Sequence, residues 1–339
     1  MYINSVMMNK NILFSFILIA TIIIVSCKKD DNQVVIPPFD HEAQIPIDQD
    51  SINKYLAYHY YNTKDSIFWT IGAGSEATGA LPVADQLPLN KDSNLDSIEG
   101  IDANGTVADY KMYYYEIAGG IDNGNEGFSS PSPVDSVFVK YAGTLLDSTV
   151  FDSREDYPVW FMLPNTIQGW ARGLPKFKRG TFETDIDEDF IFHDSGKGYL
   201  IMPSGLGYQN GGTGLIPANS PLIFRIELND VKLIDTDLDM VPTKFEINYD
   251  LAGNITTYST DGDTRDDFQD VDDDNDFTLT RDEVLNEYVT ELYPLDARGN
   301  IDFPYGVDDE TEQMIIVRRD GADGNPDYKD SSKHLEPTE

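Results

Sequence analysis

Six residues of the segment DVDDDNDFTLTRDE are spaced like the oxygen donors of a calcium loop. Asp272, Asp274, Asp276, Thr278, Thr280 and Glu283 fall at relative positions 1, 3, 5, 7, 9 and 12, with Thr278 offering its backbone carbonyl and Glu283 a bidentate carboxylate. Phe277 stands where such loops usually carry glycine, a departure that strains the turn or weakens affinity. Upstream, Asp235, Asp237, Asp239 and Glu246 repeat positions 1, 3, 5 and 12, again without the glycine. Asp261, Asp263, Asp267 and Asp270 lie between the two ladders, and a degenerate copy follows at Asp323, Asp327 and Asp330. A hard cation takes about 6–8 oxygens at about 2.3–2.6 Å, whereas the same carboxylates without one repel each other and stay loose. The expectation is a structural calcium-stiffened segment; its bland counterpart is a solvated acidic linker.

A second set of residues is apolar. Ile167, Trp170 and Leu174 are spaced i, i+3, i+7 in NTIQGWARGL and so share one face of a short helix, with Asn165 placed to cap it. Around it, YKMYYYEI, DSVFVKYAGTLL, WFMLP, GYLIMPS and SPLIFRIELNDVKLI have strand length and aromatic or β-branched density. Many antiparallel strands and one short helix describe an α+β domain in which a sheet wraps the helix and aims its apolar face into the concavity. Closer to the start, Asp50 or Ser51 caps a helix in SINKYLAYHY whose face carries Ile52, Tyr55 and Leu56, with His59 as a packed edge residue. One strand is expected at Ile67 to Thr70 in an otherwise irregular stretch.

The chain has 339 residues, 40% of them hydrophobic, and a formal charge of -36. That is enough for a core and more than one domain, and the field repels nucleic acid while attracting divalent cations or basic partners. Lys10 precedes the apolar run ILFSFILIATIIIV, which ends at Ser26-Cys27; a basic region, a short apolar region and a small residue before the break describe an export signal. Val25-Ser26-Cys27 resembles a bacterial lipobox, in which Cys27, the chain's single cysteine, is lipidated. Lys28 after the cysteine resembles lipoproteins sorted to the outer membrane, and Lys28-Lys29-Asp30-Asp31 resembles a surface-export signal, so the expected address is the outer membrane, periplasm-facing or at the cell surface.

The apolar segments together resemble the FKBP family of peptidyl-prolyl cis/trans isomerases. VFVKYAG with LLDSTVFDS, PVWFMLPNTIQGWARGLPKFKRG, GYLIMPSGLGY and GLIPANSPLIFRIELNDV follow the family's order, over about one third of the chain. The resemblance implies that Tyr141, Phe151, Asp152, Phe161, Ile167, Trp170, Tyr208, Ile216 and Phe224 line a pocket for proline. It implies further that the pocket twists an X-Pro amide without a cofactor, with Asp152 tuning the pocket rather than acting as a base. The partners would be proline-containing polypeptides, and the role assistance to exported proteins. Thr166 replaces an apolar residue, Val159-Trp160 either displaces an expected aromatic or supplies it through Trp160, and TFETDIDEDFIFHDSGK, which holds His193, is inserted where the family has a short hairpin. These departures leave open a non-catalytic client-binding module or a calcium-dependent surface interaction lipoprotein. The acidic ladders resemble thrombospondin type 3 or EF-hand-like repeats. The organisation expected is signal 1–26, lipid-anchored tether 27–49, a segment of unassigned role 50–108, isomerase domain 109–233, acidic repeats 234–285 and tail 286–339.

Overall fold

The computed structural model describes residues 38–103, 106–121, 129–184, 190–239 and 241–281. The export signal, Cys27, Lys28 to Asp31, Glu283, the copy at Asp323 to Asp330 and the tail lie outside the described residues. In chain order the elements are α1 (His41–Tyr58), β1 (His59–Asn62), β2 (Ile67–Thr70), β3 (Leu95–Ala103), β4 (Thr106–Ala118), β5 (Ser136–Leu145), β6 (Val150–Met162), α2 (Gln168–Gly173), β7 (Thr181–Thr184), β8 (Phe190–His193), β9 (Gly196–Met202), β10 (Leu222–Lys232), β11 (Ile247–Tyr249) and β12 (Ile255–Thr257). A six-stranded sheet runs β3-β4-β9-β10-β5-β6, with every neighbouring pair antiparallel. The sheet thus begins at Leu95, ahead of the expected boundary at Asp109. The interrupted alternation LDSIEGIDA, with two register shifts against β4, hides this edge strand from a period-two reading.

Alternation sorts the strand residues onto two faces. Val137, Val139, Tyr141, Leu200, Met202, Leu222, Phe224 and Ile226 point inward to a core that includes Trp170 and Leu174 of the helical segment. Helix α2 lies close on β9 because its underside is glycine: a Cβ at Gly169 would collide with Met202 Sδ, and one at Gly173 would lie 2.5 Å from Leu200 Cδ2. The opposite face is also covered. Ile52, Tyr55 and Leu56 of α1 pack with Leu89 on Tyr115, Tyr199, Ile201 and Ile223, and Phe68 of β2 stacks on Tyr199 at 4.0 Å between centroids. The β2 strand occupies Ile67–Thr70 as expected, paired with β1. His59 stacks on Tyr55 at 3.8 Å and shares hydrogen bonds with Tyr55 O and Thr70 Oγ1, a packed residue.

Helix α1 starts ten residues before the sequence signal at Ser51, within the stretch expected to be tether. Asp40 supplies the cap, its Oδ1 accepting from Ala43 N at 3.1 Å. Pro46 inside the helix argues against such a start, and a long-range contact outweighs it. Asp48 is buried, and its Oδ2 accepts from both the backbone N–H and the hydroxyl of Ser204 at 2.7 Å. Gln44 Nε2 donates to the other oxygen at 2.7 Å. Among the described residues after Leu233, those around Asn254 dock on the domain. Asn254 Oδ1 accepts from Asp102 N at 2.9 Å, Asn254 Nδ2 donates to Gly100 O at 2.8 Å, and Ala252 enters the core. Asp48→Ala strands the buried Ser204 donors; we expect a loss of about 1–3 kcal/mol in urea unfolding, with faster proteolysis within α1.

Candidate functional site

A cavity of about 520 Å³ opens on the concave side of the sheet, lined by Tyr141, Phe151, Asp152, Phe161, Asn165, Thr166, Ile167, Gln168, Trp170, Gly205, Gly207, Tyr208, Gln209 and Phe224. Each wall comes from a different element. β5 gives Tyr141, β6 gives Phe151, Asp152 and Phe161, β10 gives Phe224, and the turn after β9 gives Tyr208. Trp170 is buried and meets its neighbours edge-on: Tyr141 at 5.1 Å and 82°, Phe161 at 5.3 Å and 80°, Phe224 at 5.3 Å and 87°. Edge-to-face contacts at these separations are favourable because the ring quadrupoles align positive edge to negative face. The absence of a side chain at Gly143 is part of this box, since a Cβ there would lie 2.5 Å from the Phe151 ring and 2.8 Å from that of Phe224.

Polar groups are few and directed. The Tyr141 hydroxyl donates to Asp152 Oδ2 at 2.6 Å, and Arg154 Nη1 stands 3.9 Å from Asp152 Oδ1. Burial raises the Tyr141 phenol above its ordinary range, and the hydrogen bond to Asp152 adds to the shift. Burial, then the Asp152 charge, also raises Tyr208. The Tyr208 hydroxyl makes no hydrogen bond among the described residues and is exposed to the cavity mouth. The indole N–H of Trp170 is buried without a partner. The arrangement offers a dry aromatic floor, one carboxylate already engaged, and a hydroxyl able to donate to an incoming carbonyl.

Eight of the nine residues expected at the pocket surround this cavity. Ile216 does not line it; it is buried in the core cluster, held there by the turn in which Thr213 N and Ile216 O pair at 3.0 Å. Asn165 does not cap α2. A 3-10 turn over Leu163–Asn165 moves the helix start to Ile167, and the Thr166 hydroxyl donates to Leu163 O at 2.8 Å. Asn165, Thr166 and Gln168 line the cavity instead, with Gln209, which sequence reasoning did not single out. Trp160 faces away from the cavity, stacking on Phe138 at 4.9 Å, so Phe161 alone supplies that wall. The inserted hairpin β7–β8 sits on that other side, with Phe192 at 5.7 Å from Phe138, and His193 pairs with Glu183 at 3.3 Å. None of its described residues lines the cavity.

The acidic ladders gather into three groups whose ligand atoms lie within 4.8 Å of one another: Asp235, Asp237 and Asp239; Asp272, Asp274 and Asp276; and Asp239, Glu246 and Asp273. Burial, then neighbouring negative charge, pushes the Asp237 carboxyl above the usual range, and burial does the same to Asp239 with Asp237 and Asp235 adding to it. Glu246, expected to close the first loop, joins Asp273 of the second. The Thr280 hydroxyl accepts from Asp273 N at 3.1 Å, and Thr278 N donates to Asp276 at 2.7 Å. Phe277 has φ +75° and is exposed, confirming that a side chain occupies a left-handed position that favours glycine.

An antiparallel sheet curved around one short helix, with an aromatic box between them, is the FKBP-like fold. Residues 127–229 match the family model for FKBP-type peptidyl-prolyl cis-trans isomerase, and they carry every wall residue named above. The chain is 38% identical over 116 residues to the FKBP-type peptidyl-prolyl cis-trans isomerase FkpA of Buchnera aphidicola subsp. Schizaphis graminum, covering 34% of this chain and 40% of that protein. It is 37% identical over 105 residues to FkpA of Escherichia coli strain K12, covering 30% of this chain and 33% of that protein. The chain therefore spans 40% or less of the length of these two relatives. Among solved structures, a peptidyl-prolyl cis-trans isomerase from Pseudomonas syringae pv. tomato aligns with a TM-score of 0.34 at 21% identity, over 58% of this chain and 99% of that one. FkpA from Escherichia coli aligns with a TM-score of 0.31 at 24% identity, over 67% and 84%.

Because folding holds the protons of Tyr141 and Tyr208 more tightly, these phenols stabilise the fold below their unfolded value of about 10, and that contribution is lost as pH rises through the folded values. Alkaline titration should show stability declining above about pH 10, with the late phenolate absorbance appearing together with loss of tertiary structure.

Proposed function

We propose that this chain accelerates cis/trans exchange at X-Pro bonds of exported polypeptides. The observation that carries the reading is the Trp170 floor closed by Tyr141, Phe161 and Phe224 within the segment that matches the isomerase family. Rotation about a peptide bond costs about 18–20 kcal/mol because it breaks amide resonance, and an uncatalysed X-Pro bond takes about 10–100 s. The planar amide is more polar than the twisted one, so an aromatic cavity with few donors favours the twisted form relative to water. The proline ring would rest on Trp170, and the Tyr208 hydroxyl and Ile167 N–H would hold the carbonyl as it turns. Asp152, held by Tyr141, would fix the wall and its field without taking a proton. Lowering the barrier by about 4 kcal/mol corresponds to roughly a thousandfold in rate.

The address and the acidic segment complete the proposal. Ser26-Cys27 behind the apolar run ILFSFILIATIIIV supports a lipid anchor on Cys27, and Lys28 supports the outer membrane as its site. Each acidic ladder gathers three aspartates whose oxygens approach within 4.8 Å, which supports structural calcium bound outside the cell.

A protease-coupled assay on a short X-Pro peptide tests the enzymatic reading. The wild-type chain should speed isomerisation, and Tyr141→Ala with Asp152→Ala should lower kcat/KM by at least about tenfold. A folded wild-type chain with no acceleration would leave the domain a client-binding scaffold.

A further inference from the structure

The spacing of the two acidic ladders describes two separate loops, each closing on its own ligands. The structure does not keep them separate. Asp239 belongs both to the group with Asp235 and Asp237 and to the group with Glu246 and Asp273. Asp273 lies between Asp272 and Asp274, yet it gathers with residues more than twenty positions upstream, while its two neighbours gather with Asp276. Position 2 of a calcium loop is not a ligand position, so nothing in the ladder spacing accounts for where Asp273 points.

The burial at this meeting point is the second observation. Asp239, Glu246 and Asp273 are 0%, 0% and 2% exposed. The Asp239 Oδ1 accepts from Val241 N at 2.8 Å, and its Oδ2 is buried with no hydrogen-bond partner. Both carboxylate oxygens of Asp237, on the adjoining side, are likewise buried without a partner. A buried carboxylate oxygen with no donor costs several kcal/mol unless a cation or a proton meets it. Oxygens within 4.8 Å of one another suit one ion of the calcium class, since ligands on opposite sides at about 2.4 Å are about 4.8 Å apart. Carboxylates alone, with no imidazole or thiolate in the group, select a hard cation over zinc or copper.

We propose that Asp239, Glu246 and Asp273 form a calcium centre shared between the two acidic loops, with Asp239 bridging it to the site of the first loop. The proposal rests on the reading that these loops take calcium, and it changes what calcium does there. Two self-contained loops would each be stiffened alone. A shared centre fastens residues 235–246 to residues 272–280, and so closes the intervening hairpin β11–β12 and the Asn254 contacts onto the sheet edge.

The test uses the full chain, with calcium binding read by calorimetry, thermal unfolding, and hydrogen exchange over residues 235–246. Asp273→Asn is the informative variant, because it removes a ligand charge from the shared centre and none from the 1-3-5 set of either loop. Asp274→Asn serves as the loop variant. Wild type should gain thermal stability with calcium. Asp273→Asn should bind one ion fewer and lose the calcium-induced protection of residues 235–246, while Asp274→Asn keeps that protection. In chelator, Asp273→Asn should melt at or above wild type, since it relieves like-charge repulsion; this separates lost binding from misfolding. If Asp273→Asn keeps wild-type stoichiometry and protection while Asp274→Asn loses an ion, the shared centre is wrong and the separate-loop reading stands. If wild type binds no calcium, both are wrong. An equal gain with magnesium, which prefers about 2.1 Å and rigid octahedral geometry, would overturn the assignment to calcium.

Discussion

The close seat of helix α2 on strand β9 is the constraint on which the site depends. Gly169 and Gly173, one turn apart, bring the helix against Met202 and Leu200 with no side chain between. That depth sets where the Trp170 ring ends, and the ring is the surface against which Tyr141, Phe161 and Phe224 place their edges. The strands delivering those rings are adjacent or nearly so in the sheet, β10-β5-β6. Their curvature and the helix position are therefore one solution rather than two. Close packing of this kind tolerates little change in volume.

The rest of the chain braces this arrangement from outside. Helix α1 and the β1–β2 hairpin cover the face of the sheet opposite the cavity, so both faces are buried. Asp48 reaches from α1 to Ser204, the residue that opens the turn carrying Gly205, Gly207 and Tyr208 into the cavity wall. The segment ahead of the domain is thereby linked to the Tyr208 side of the pocket by buried hydrogen bonds. On the other flank the acidic extension meets β3 through Asn254 and the core through Ala252.

The parts of this design that rest on local periodicity were legible in the sequence. The i, i+3, i+7 spacing of Ile167, Trp170 and Leu174, along α2 and its two caps, and the alternation along VFVKYAG each follow from local geometry. Resemblance to a family brought eight wall residues together from β5, β6, β10, the α2 segment and the turn after β9, which periodicity alone does not do. Contacts between distant segments were not legible. The start of α1 was hidden because Pro46 and a polar surface mask the turn that Asp48 anchors 156 residues away. Asn165 has the chemistry of a cap, yet it falls inside a 3-10 turn ahead of α2, and Ile167 takes the cap position without a side-chain hydrogen bond. Ile216 has the apolarity of a wall residue but is drawn into the core by its own turn. Asp273 reads as one more carboxylate in a run, and only the approach of the two loops distinguishes it from its neighbours.

In the proposed function Trp170 is the surface on which an X-Pro amide turns. NMR exchange on a short X-Pro peptide, with wild type beside Trp170→Leu, addresses it directly, because leucine fills most of the floor without offering a flat aromatic face. Fast cis/trans exchange is expected with wild type and near-uncatalysed exchange with the folded variant. Unchanged acceleration from Trp170→Leu would contradict it and move the chemistry to another part of the chain.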